Sequence, residues 1–179
     1  MAIAKRYTEA HKDAFGFLAS ALSGVTQWTP AQFRNTGVVL NNIAKGDVFS
    51  YNLQFNHDKK LQSALDGFHA HLVPLTANSG NIAIDYAWGI YHEGDVIPDT
   101  LPNTGTTLIA IANQQYVHLI KNIVGSMTIP STEKYSSFFL IKCTRRNDAQ
   151  DTFTGDFALL GADVHYITDR LGSLNEVTD

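Results

Sequence analysis

Apolar side chains recur at every second residue along most of this chain, and that period dictates a sheet protein. Phe49, Tyr51, Leu53 and Phe55 alternate with Ser50, Asn52 and Gln54, which in an extended backbone puts the apolar set on one face and the polar set on the other. From about Val38 onward the same logic marks runs at 68–73, 82–90, 107–112, 117–124, 137–144 and 157–168. Stretches rich in turn formers separate them, at 78–81, 98–105, Gly125, Pro130 and 145–154. Strands without helices between them cannot make parallel crossovers, so the sheets must be antiparallel. The expected fold class is all-β: an antiparallel jelly-roll-like sandwich of about eight strands. An immunoglobulin-like sandwich fits less well, because 179 residues is long for one and the single Cys143 cannot supply its cysteine pair.

The period changes near the N-terminus. Ala10, Ala14, Phe17, Leu18, Ala21 and Leu22 recur at spacings of three and four, with Thr8 placed as an N-cap and Gly24 as the stop. This pattern predicts a helix that packs either on its own domain or on a neighbouring chain, and in the second case the six residues of its stripe are candidates for the interface. The expected organisation is a helical arm over 1–24 serving as anchor or inter-subunit tie, a β-sandwich over 36–172, and a short polar tail over 173–179.

Composition narrows the function. Thirteen Lys and Arg against seventeen Asp and Glu give a net charge of −4, so the chain lacks the basic excess that holds a phosphate backbone, and nucleic acid is not an expected partner. Charged residues make up 17%, below the ~25% of an average soluble domain. The surface must then be largely neutral and polar, which suits a protein that rests against other proteins or lies outside a cell. Apolar runs are far shorter than the ~18–20 residues that span a bilayer, and Lys5 and Arg6 are not followed by an apolar signal core. No membrane partner and no export by that route are expected.

His69 and His71 stand at i and i+2 of a strand and so project to one face. Cupin enzymes hold a metal on a similar His-x-His, and the run from His92 to Pro98 resembles their second motif. The further Glu and His that cupins need are missing at the required spacing, so no metal or other cofactor and no catalytic residue is expected. Cys143 lies in an apolar alternating run, where a buried inert thiol is the ordinary outcome. No Gly-x-Ser-x-Gly elbow or phosphate-binding glycine loop is present. Asp148, Asp151 and Asp156 lack the ligand ladder of a calcium loop and read as a solvated turn. Trp28, Trp88 and Tyr91 could stack on a sugar if exposed, although Trp88 alternates in phase with Ile84, Tyr86 and Ile90 as a core residue does. In the last strand Asp163 and His165 share one face, while Val164 and Tyr166 share the other.

Three stretches resemble a family of tailed-phage and environmental-virus virion proteins. They are Phe68-His69-Ala70-His71-Leu72-Val73-Pro74; Ser79-Gly80-Asn81 leading into Ile82 and Trp88; and a C-terminal set running through Thr144-Arg145-Arg146, Asp151-Thr152-Phe153-Thr154-Gly155-Asp156, Asp163-Val164-His165-Tyr166 and Asp169-Arg170-Leu171-Gly172-Ser173. The resemblance covers about 66–175. It implies a non-enzymatic head-decoration or head-fibre subunit, made in the host cytoplasm and located in the virion, with the major capsid or other virion proteins as partners. By analogy with such spikes a homotrimer is expected, with His69, His71, Asp163 and His165 as further interface candidates. The alternative is a module that binds host-surface glycans; a cupin-like metal enzyme is the least favoured reading.

Overall fold

The computed structural model describes residues 10–15, 17–18, 29–55, 61–128 and 137–168. Among these are twelve strands: β1 (Ala10–Phe15), β2 (Phe17–Leu18), β3 (Thr29–Gln32), β4 (Val39–Ile43), β5 (Val48–Gln54), β6 (Leu61–Pro74), β7 (Ser79–Tyr91), β8 (Asn103–Ala112), β9 (Leu119–Val124), β10 (Met127–Thr128), β11 (Phe138–Arg145) and β12 (Phe157–Thr168). Every pairing is antiparallel. One sheet carries the order β9-β6-β12-β4, and the other β5-β11-β7-β8. The chain crosses between the two layers at most of its connections, which is the jelly-roll-like winding expected from the period-2 runs. The shorter strands extend the edges: β3 beside β4, β10 beside β6, β1 beside β12 and β2 beside β5.

The alternation decides the core. Phe49, Tyr51, Leu53, Phe139, Ile141 and Cys143 from the five-stranded sheet are all buried, as are Phe68, Ala70, Leu72, Phe157, Leu159 and Val164 from the seven-stranded one. Aromatic rings interlock between the layers, with Phe68 at 5.9 Å from Tyr51 and 5.7 Å from Phe139, and Phe49 at 6.5 Å from Phe157. Trp88 is buried in the same cluster. Burial also pushes the Cys143 thiol well above its usual pKa, which makes it an inert core residue.

The N-terminal segment corrects the sequence reading. Where it is described it is strand: Ala10 and Ala14 belong to β1, and Phe17 and Leu18 form β2. Ala21, Leu22, Thr8 and Gly24 lie outside the described residues, as does Trp28. The physical reason is non-local. The second half of β12 pairs with β6 on one side and leaves its other edge open, and β1 fills that edge with Ala10 opposite Thr168 and Phe15 opposite Asp163. A short alanine-rich helix gains little by itself in water, whereas a strand here completes a ladder of backbone hydrogen bonds. The segment thus enters both sheets, β1 in one and β2 in the other.

One irregularity in β12 sets which of its later side chains face outward. Along β12 and β6 the register runs Leu159 opposite Leu72, then Gly161 opposite His71, leaving Leu160 as the extra residue of a β-bulge. A bulge shifts the phase of every later side chain. Before it, Phe157 and Leu159 point inward; after it, Ala162 and Val164 do, and Asp163 and His165 turn to the outer face.

Candidate functional site

Two polar constellations occupy the outer faces of the sandwich. The first lies on the seven-stranded sheet, where the bulge sets Asp163 directly opposite His69, with His71 opposite Gly161. His165 comes next on the same face, its Nε2 3.0 Å from Asp163 Oδ2, and its ring centroid is 4.5 Å from that of His69. His71 Nε2–H donates to Asp163 Oδ1 at 3.2 Å. Because a carboxylate only accepts, the other nitrogen of a neutral His71 must accept, and His118 Nε2 lies 2.9 Å from His71 Nδ1 with the two rings stacked. One nitrogen from each of His69 and His165 and one oxygen of Asp163 fall within 4.8 Å of one another. His69 and Asp163 are only 8% and 4% exposed although both point away from the core. His69 Nδ1 has no hydrogen-bond partner among the described residues.

The second lies on the five-stranded sheet. The outward positions of three neighbouring strands, Asp85 and Ala87 of β7, Thr104 and Thr106 of β8, and Lys142 and Thr144 of β11, line a shallow open groove of about 370 Å³. Asp85 Oδ1 accepts from Thr106 Oγ1 at 2.6 Å and from Arg146 Nη1 at 3.2 Å, which fixes its carboxylate along the groove wall. Lys142 is exposed and forms no ion pair among the described residues. Four residues before it on the same face, roughly 13 Å away at strand rise, Phe138 is 42% exposed. The face therefore offers one apolar ring and a row of hydroxyl, carboxylate and ammonium groups.

A third polar group proves structural. Arg145 is fully buried, in phase with Phe139, Ile141 and Cys143 on the inner face of β11. Its Nε and Nη2 donate to Asp151 Oδ2 and Oδ1 at 2.9 and 3.2 Å, Nη1 to the Ile43 carbonyl at 3.0 Å, and Nη2 to the Phe153 carbonyl at 2.9 Å. Asp151 further accepts from the Ala83 amide at 3.2 Å and faces Lys45 Nζ at 3.3 Å. This corrects the expectation of a solvated turn at Asp151. The loop after β11 folds inward because an arginine at an inward strand position must be matched by a buried acid. Asp148 and Asp156 remain exposed, and Asp148 pairs with Arg146, which holds its carboxyl below the ordinary range.

Of the interface candidates, His69, His71, Asp163 and His165 come together, and β1 places Ala14 and Phe15 in register beside Val164 and Asp163. Trp88 and Tyr91 are buried, the Tyr91 ring lying over Gly89, so neither offers an open stacking face. Sequence reasoning missed His118 and the groove residues. For the groove the signal was the outward phase of Asp85 and Ala87 in the 82–90 run and of Lys142 and Thr144 in the 137–144 run. No protein-family model and no curated protein matches the chain. Among solved structures it is similar to TmCBM61 in complex with β-1,4-galactotriose, over 89% of this chain and 88% of that one, at 9% identity and a TM-score of 0.28.

Proposed function

We propose that this chain is a non-catalytic carbohydrate-binding β-sandwich whose ligand lies along the outer face of the five-stranded sheet. The observation that carries this reading is the groove between Asp85, Thr104, Thr106, Lys142 and Thr144, with exposed Phe138 four residues from Lys142 on the same face of β11. Sugars present hydroxyls around the ring edge and C–H groups on its face. Fixed donors and acceptors beside one apolar ring match both. An open groove on rigid strands receives an oligosaccharide without reordering the chain, which keeps the entropic cost of binding low. Its lining holds a single carboxylate, Asp85, whereas glycosidic hydrolysis ordinarily takes two.

The test is a glycan array with the isolated chain, followed by calorimetric titration of the best ligand. Lys142→Ala and Phe138→Ala should each weaken binding by about tenfold, the equivalent of ~1.4 kcal/mol, with the melting temperature unchanged. No glycan bound at millimolar concentration, or an affinity indifferent to both substitutions, overturns the reading.

A virion role is the second reading, supported by the resemblance of 66–175 to head-decoration and head-fibre proteins. The jelly roll is common to capsid proteins and lectins and favours neither. The two readings are compatible, since a particle-borne sandwich can present a sugar-binding face to a host. Imaging of particles for density at symmetry positions, with sedimentation for the homotrimer, tests the virion reading independently of the array.

A further inference from the structure

We infer that His69, Asp163 and His165 form a binding site for a divalent first-row transition metal ion, with His71 and His118 as positioning residues behind it. The inference is independent of the glycan groove, which lies on the other sheet, and it runs against the expectation of no metal drawn from the missing cupin partners. That expectation compared sequence neighbours. The missing ligands arrive instead across the sheet, from β12.

Three observations carry it. The donor set is two imidazoles and a carboxylate, the combination that suits Zn²⁺ and its neighbours rather than Ca²⁺ or Mg²⁺, which take all-oxygen shells. The spacing is close to what coordination needs: His165 Nε2 and Asp163 Oδ2 are 3.0 Å apart, and a tetrahedral ion with bonds of ~2.0–2.1 Å separates its ligands by about 3.3 Å. All three ligand atoms already sit within 4.8 Å of one another, so rotamer adjustments close the shell. The third observation is the buried Nδ1 of His69, which has no hydrogen-bond partner among the described residues. A buried polar atom left unsatisfied is destabilising, and a cation coordinated at that nitrogen would give it the partner that the fold withholds.

The surroundings fit as well. Metal-ligating carboxylates are commonly held through their second oxygen, and here His71 Nε2 holds Asp163 Oδ1 at 3.2 Å while His118 backs His71 at 2.9 Å. The ligands sit on paired strands, with Asp163 in register with His69, so the template is rigid. Access is through His165, whose side chain is 36% exposed beside an almost buried Asp163.

The experiment uses the untagged full chain, stripped with chelator and dialysed against Zn²⁺, with metal counted by mass spectrometry and affinity taken by calorimetry. One Zn²⁺ per chain is expected. Asp163→Asn and His165→Gln should each lower the affinity by at least about a hundredfold, and His118→Ala, which removes only the group behind His71, by about tenfold. Co²⁺ loaded in place of Zn²⁺ should show a visible ligand-field spectrum that Asp163→Asn abolishes. Circular dichroism of each variant confirms the sheet fold. Should a ligand variant fail to fold, the Co²⁺ spectrum and stoichiometry of the unaltered chain decide alone. Zn²⁺ held no more tightly than at scattered surface histidines, a stoichiometry other than one, or an affinity unmoved by Asp163→Asn and His165→Gln overturns the site.

Discussion

Arg145 and His69 both stand in the middle of buried polar groups, and the two groups differ sharply in how they are satisfied. Around Arg145 every nitrogen has a partner: two carboxylate oxygens of Asp151 and the carbonyls of Ile43 and Phe153. The node draws β4 of one sheet and β11 of the other onto the loop after β11, so its product is a closed end of the sandwich. Around His69 one ring nitrogen lacks a partner among the described residues, and the neighbouring groups converge on a single point. A network with all its hydrogen bonds made has nothing left to offer a ligand. One that is incomplete, rigid and partly accessible is where a ligand can be recognised. Charge and burial alone would have ranked Arg145 and Asp151 as the site; completeness of hydrogen bonding reverses that order.

The largest effect should come from the phase of β12, which aims the incomplete group. Inserting one residue between Gly161 and Ala162 moves every later side chain of the strand to the opposite face, which drives Asp163 and His165 toward Phe68 and the core. An uncompensated buried carboxylate costs several kcal/mol, a large fraction of the ~5–15 kcal/mol that holds a domain together. We expect no soluble folded protein from this insertion, measured by expression and circular dichroism. A folded insertion variant that still binds metal would mean that the phase of β12 is not what aims these side chains.

Next in size is the node itself. Arg145→Met leaves Asp151 buried without its bidentate partner, and Asp151→Asn leaves the guanidinium without its anion. Either should lower unfolding free energy by about 3–5 kcal/mol in denaturant titration, with the array-selected glycan and Zn²⁺ still bound by the folded fraction. A loss under about 1 kcal/mol would place the node among ordinary surface pairs and undo the contrast.

Much of this could be read from the chain. Alternation alone located β5 and its buried Phe49, Tyr51 and Leu53, and it placed His69 with His71, and Asp163 with His165, on shared faces. What alternation cannot supply is which strand lies beside which. The pairing of His69 with Asp163 joins residues far apart in sequence, and the same blindness turned Ala10, Ala14, Phe17 and Leu18 into a helix, because the open edge of β12 that captures β1 is invisible locally. The Arg145 node was missed, because the alternating run was ended at Thr144 and 145–154 was read as a polar turn. The signal was the phase of Arg145 with Phe139, Ile141 and Cys143, which demands a buried acid such as Asp151 in the next loop.

The smallest expected effect is the most discriminating. His69→Phe keeps a planar ring of similar volume and removes the nitrogen that has no partner. In chelator, unfolding free energy should change by no more than about 1 kcal/mol in either direction, since the lost imidazole contacts are offset by removal of a buried unsatisfied group. The same substitution takes away a proposed ligand. With Zn²⁺ in hundredfold excess over its dissociation constant, the unaltered chain should gain about 2.7 kcal/mol and the variant far less. The ranking of the two proteins in thermal or chemical denaturation then depends on the metal. If His69→Phe instead costs the ~3–5 kcal/mol expected at Arg145 whether or not Zn²⁺ is present, His69 is a structural residue like the arginine, and incompleteness of hydrogen bonding has lost its meaning as a mark of function in this fold.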